Sequence, residues 1–181
     1  MTVAPSGKFY VYMMKEIVNR VKESGLISID LAEFKPKVEI ISIDIADLLW
    51  QGLVLKEKDF RQWIKDHRWE KYSGKAVFIH CSTDAIVPTW AYMLIASELK
   101  KFTDNFVVGN RLDLEKELIR KNINAEDYQK YIDGRVIIKG CADISVPEFA
   151  MVELVRFLQP HVKSIMYGEP CSTVPVYKKK K

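Results

Sequence analysis

A chain of 181 residues, 48% of them hydrophobic, is long enough to bury one sizeable core, and none of its apolar runs approaches the length of a membrane span. The formal net charge of +4 disappears once it is located: Lys178 to Lys181 hold four of the 28 basic residues, and the 24 left over balance 24 acidic ones. A neutral body with a short basic tail argues against a surface that tracks nucleic-acid phosphates. With no secretory leader and no spanning segment in view, the expected setting is the cytoplasm, away from nucleic acid and membrane.

Met1 to Met14 reads as a disordered or loosely attached extension, ahead of a single domain over residues 15–177 and a basic tail over 178–181. Lys15 to Ser24 has Ile17, Val18 and Val21 at helical spacing, with Gly25 as its stop. Leu26 to Leu31 alternates apolar and polar residues, as an edge strand does, and Val38 to Ile45 is a β-branched strand. Ala46 to Gln51 predicts a brief helix, and Leu53 to Leu55 a short extended piece. Lys56 to His67 predicts an amphipathic helix with Phe60, Trp63 and Ile64 on one face.

The centre of the chain is Lys75 to Ala91. Ala76 to His80 is a short apolar strand that runs into Cys81; a loop follows, and Pro88 opens a helix reaching Lys101. Phe106 to Val108 is a strand, Leu112 to Asn122 and Ala125 to Ile132 are helices, and roughly sixty residues after the first device it returns. Arg135 to Lys139 is a strand, Cys141 follows it, and Val146-Pro147 starts a helix to Leu158. Ser164 to Tyr167 is the last long apolar piece, and Cys171 again precedes a Val-Pro pair, Val174-Pro175. Alternating strands and crossover-length helices predict an α/β fold: a single-domain three-layer sandwich with a largely parallel or mixed sheet and helices on both faces, with one or two antiparallel strands from the first third.

Ligands of open parallel sheets bind beyond the carboxyl ends of the strands. Cys81, Cys141 and Cys171 each follow such an end, and two of them precede helix N-termini, which favour a thiolate. Three converging thiolates are three ligands of a zinc or iron site, or three corners of an iron–sulfur cluster. His80 or Asp84 is the candidate fourth ligand, although His80 should point to the face opposite Cys81. For catalysis the candidates are Cys81 as nucleophile, with Asp84 or Asp143 moving protons. The competing account is that the cysteines are small buried hydrophobes, since no Cys-x-x-Cys pair is present.

The runs Ser24-Gly-Leu-Ile-Ser-Ile-Asp-Leu, Asp84-Ala-Ile-Val-Pro-Thr-Trp-Ala-Tyr-Met, Ile138-Lys-Gly-Cys and Ser164-Ile-Met-Tyr-Gly-Glu-Pro-Cys-Ser-Thr-Val-Pro resemble the domain-of-unknown-function family 2480 of Bacteroidetes. The resemblance covers Glu16 to the C-terminus and brings no activity with it. It implies an association with the SUF-type iron–sulfur assembly system, whose proteins become the expected partners. Three functions are therefore carried forward. One is a metal or iron–sulfur site on Cys81, Cys141 and Cys171; another is a thiol or persulfide-handling enzyme; the third is a non-catalytic interaction module. A homodimer is compatible with all three.

Overall fold

The computed structural model describes residues 25–140, 143–169 and 171–180; the extension, the helix expected over Lys15 to Ser24, and Cys141 lie outside them. The first two strands carry one short pattern, Ile-Ser-Ile-Asp. β1 is Leu26–Asp30 and β2 is Ile40–Asp44. Each closing aspartate folds its carboxylate over the chain just ahead: Asp30 Oδ1 accepts from the Ala32 N–H at 2.9 Å, and Asp44 Oδ1 from the Ala46 N–H at 2.9 Å. That local bond turns the strand into one 3-10 turn, Leu31–Phe34 or Ile45–Leu48. The brief helix expected over Ala46 to Gln51 is this turn.

The later strands are β3 (Ala76–His80), β4 (Phe106–Val108), β5 (Arg135–Lys139), β6 (Ser164–Glu169) and β7 (Ser172–Lys178). The helices are α1 (Glu57–Asp66), α2 (Thr89–Leu99), α3 (Arg111–Asn124) and α4 (Pro147–Leu158). The α/β content, largely parallel strands and helical cover are as expected, but the strands divide between two sheets. One is β2-β3-β4, wholly parallel; the other is β1-β5-β6-β7, parallel except for its last pair.

The two sheets repeat one register. Val77 lies between Ile41 and Phe106 in the first, and Val136 between Ile27 and Ile165 in the second. From α1 onward the halves are related by a constant step of 59 positions, as from Val77 to Val136. The step preserves burial: Phe60 and Ile119, Ile79 and Ile138, Ala91 and Ala150, Ile95 and Leu154, and Leu99 and Leu158 are all core pairs. It also preserves polar detail. Trp69 Nε1 donates to the Ile64 carbonyl at 2.9 Å, and Tyr128 Oη to the Ile123 carbonyl at 2.8 Å. Arg61 lies over the Trp90 ring, and Arg120 over the Phe149 ring. The chain is an internal structural duplication.

β3 divides its residues between two layers, as the two-residue strand period requires. Val77, Ile79 and Cys81 join the core made with α1 and α2, whereas Ala76 and Phe78 meet Leu114 and Leu118 of α3. The opposite side of α3 enters the second core, where Ile119 and Ile123 pack with Val136, Ile138 and Leu154. One helix therefore serves both sheets.

Two expectations are corrected, and the third Val-Pro pair differs from the first two. The antiparallel strand is β7 at the C-terminal end, whereas β1 and β2 run parallel to β5 and β3. The helix expected over Ala125 to Ile132 is only the 3-10 turn Tyr128–Tyr131, since Asp127 accepts from the Gln129 N–H and starts a local turn. Val174-Pro175 opens no helix; Pro175 lies in the edge strand β7, where a missing N–H is tolerated. Among the described residues, no helix is long and apolar enough to cross a membrane.

Candidate functional site

At the carboxyl ends of β2 and β3 the register sets Asp44 beside His80. Asp44 Oδ1 accepts from the Ala46 N–H and also, at 3.0 Å, from the Ser82 N–H. Burial by itself would raise the Asp44 pKa. Hydrogen bonds from Ser82 and Ala46, with His80 nearby, outweigh it, and the carboxyl is held below its ordinary value. An anchored carboxylate thus fixes Ser82, the residue directly after the thiol.

Cys81 is half-buried at the end of β3, and its Sγ lies 3.4 Å from both the carbonyl and the hydroxyl oxygen of Thr83. Its inner neighbours are the apolar core of the first half. Tyr92, in the first turn of α2, is pushed up in pKa by burial and, after that, by the charge of Cys81. The strand period puts His80 on the other face, where its ring stacks on Phe78 at 5.2 Å between centroids. Asp84 is exposed in the loop between Cys81 and α2.

The second half has the same strand end with different chemistry. The 59-residue step carries Cys81 onto Gly140, over which the Tyr167 phenol lies: a Cβ there would meet Tyr167 Oη at 2.3 Å. Tyr167 also lines an apolar groove of about 280 Å³, with Ile138, Met151, Val155, Ile165 and Val176. Asp143, the counterpart of Asp84, is exposed and pairs at 2.5 Å with Lys35, at the end of the turn that follows β1. Cys171 is exposed between β6 and β7.

The two described cysteines stand at different sheets: Cys81 follows β3 of one, whereas Cys171 follows β6 of the other. Among the described residues, no three His, Cys, Asp or Glu side chains are grouped to hold a metal ion; Cys141 lies outside that set. The groups that sequence reading missed are Asp44, Tyr92 and the Gly140–Tyr167 contact. Only the first had a visible signal, the repeat of Ile-Ser-Ile-Asp in two strands.

The family profile described as "Protein of unknown function (DUF2480)" matches residues 15–179, nearly the whole chain, and the protein belongs to that family. No curated protein and no solved structure matches it.

Proposed function

We propose that the protein is a cytoplasmic thiol-handling accessory of iron–sulfur assembly, in which Cys81 accepts and passes on a sulfane sulfur. The observation that carries this reading is the placing of Cys81. It stands at the open carboxyl edge of a parallel sheet, ahead of a helix N-terminus, on a loop pinned by the Asp44 carboxylate. The Cys81 thiolate attacks the terminal sulfur of a donor persulfide; the donor S–S bond breaks, the donor leaves as a thiolate, and Cys81 becomes the persulfide. The proton released when Cys81 ionises is carried to solvent by Asp84, in the same exposed loop.

Incubation with glutathione persulfide, followed by intact-mass and peptide mapping, tests this. The expected result is one added sulfur atom on Cys81, absent in Cys81→Ala and retained in Cys171→Ala. An unchanged yield of sulfur in Cys81→Ala overturns it.

A second reading, a zinc, iron or iron–sulfur site, draws on Cys141 and Cys171 following adjacent parallel strands. In it Cys81 is the third ligand and Asp84 or His80 the fourth. Anaerobic purification with measurement of zinc, iron and acid-labile sulfide tests it. Stoichiometric metal lost on Cys141→Ala or Cys171→Ala supports the site, and metal content unchanged in all three cysteine variants removes it.

A further inference from the structure

The duplication is incomplete at one edge. After Gly168 the chain turns back as β7 and pairs along β6, whereas after Gly109 it leaves as α3, so β4 is an edge strand with no outer partner among the described residues. Asn105 and Gly109 direct their backbone groups inward, to the Val77 N–H and the Ile79 carbonyl. By strand alternation, Phe106 and Val108 direct theirs outward. Their counterparts Ile165 and Tyr167 sit opposite Tyr177 and Val174 of β7.

We infer that the outer edge of β4 pairs with the same edge of a second copy of this chain, antiparallel about a two-fold axis at Val107. Such an axis sets Phe106 opposite Val108 of the other copy and satisfies the outward groups in two reciprocal pairs. The charges beside the edge favour that partner. A trough runs along β4 and α3, with Asp104, which also pairs with Lys100, and Lys121, which donates to Asn105, at its one end, and Asp113, which caps α3 through the Asn110 N–H, and Lys116 at its other. An antiparallel copy brings Lys116 to Asp104 and Asp113 to Lys121. Between these ends Glu117 and Arg120 line the trough and pair with each other, and the exposed apolar surface is that of Val108, 60% exposed, and Leu112, 48% exposed. The β4 edge is thus self-complementary in backbone, charge and apolar surface, and it leaves the Cys81 loop out of the pairing.

Light scattering of the full chain across a concentration series, with circular dichroism as the folding control, tests this. Wild type runs as a dimer. Val108→Pro removes one outward N–H while leaving the β3 ladder intact, and it runs as a monomer. Lys116→Glu and Asp104→Lys each weaken the dimer at least tenfold, and the double variant regains it by restoring the charge pairs in reverse. A monomeric wild type overturns the inference, as does a dimer unaffected by either charge reversal.

Discussion

Before the central strand of each half, a buried tyrosine hydroxyl is met by the same position with different chemistry. In the first half His67 Nε2 lies 2.8 Å from Tyr72 Oη; in the second, Tyr131 Oη donates to Glu126 Oε1 at 2.9 Å. Burial pushes the Tyr72 pKa up to about 12 and lowers that of His67, with Lys71 adding to the second effect. Glu126 also holds Lys130, whose pKa it raises through their hydrogen bond. The duplication thus kept the geometry of the contact while its proton chemistry diverged. The same holds at the strand ends, where a thiol in one half corresponds to glycine beneath a phenol in the other. What is common to the halves builds the scaffold, and what differs marks where their roles separated.

The largest expected effects ask how far the halves remain separate. Phe60→Ala and Ile119→Ala remove corresponding buried side chains, and each should cost about 2–5 kcal/mol. Because α3 packs into both cores, urea unfolding should show one transition shifted by either change. Two transitions, with each variant moving only one, would separate the halves.

Next is Glu153, nearly buried between Arg120 and Arg156 at 3.5 and 3.4 Å, its Oε2 without a hydrogen bond. The first half has Leu94 there. Glu153→Leu should raise stability by about 1–3 kcal/mol, since a loosely paired buried carboxylate gives way to apolar contact; a fall in the thermal midpoint would show instead that Arg120 depends on it.

Gly140→Ala should cost about 1–2 kcal/mol by displacing the Tyr167 ring, whereas Cys81→Ala at the equivalent place costs less than that. Adding Tyr167→Val, the first half's residue, should remove the penalty, and its failure to do so would place the strain elsewhere.

The smallest effect is on pH dependence. The folded pKa of His67 lies below its ordinary value of 6.5, so the unfolded chain binds the proton more readily. The contribution of His67 is therefore complete above pH 6.5 and is lost as pH falls through the folded value. His67→Gln should flatten the decline of the thermal midpoint between about pH 7 and about pH 5; an unchanged profile would shift the effect to other groups.

The parts legible in the sequence are those with local causes. Val77, Ile79 and Cys81 share one face with Phe78 and His80 on the other because strands alternate, and Phe60 is buried because helices repeat. The parts that were not legible depend on distant pairing. β1 meets β5 across more than a hundred residues, so nothing near Ile27 names Val136 as its neighbour or assigns the two to a separate sheet. β7 was hidden by Pro175, which argues against a central strand but not against an edge. The second copy of the device was visible at Val146-Pro147, yet the full duplication was masked because core positions keep size and apolarity rather than identity, as Phe60 and Ile119 do. At the site, the cysteines were visible by chain position, whereas the placing of Cys81 and Cys171 after strands of different sheets was set by strand order.

Helix α3 has a bearing on how the chain reaches its native state. Leu114 and Leu118 complete the cover of β3, while Ile119 and Ile123 belong to the other core. Neither sheet is finished until this one helix has formed and found both of its neighbours. The rate-limiting nucleus should therefore assemble around Leu114 to Ile123, and substitutions there should slow folding, whereas those in β7 mainly hasten unfolding. A chain built of two like halves should in this way fold as one kinetic unit, with no division at the join.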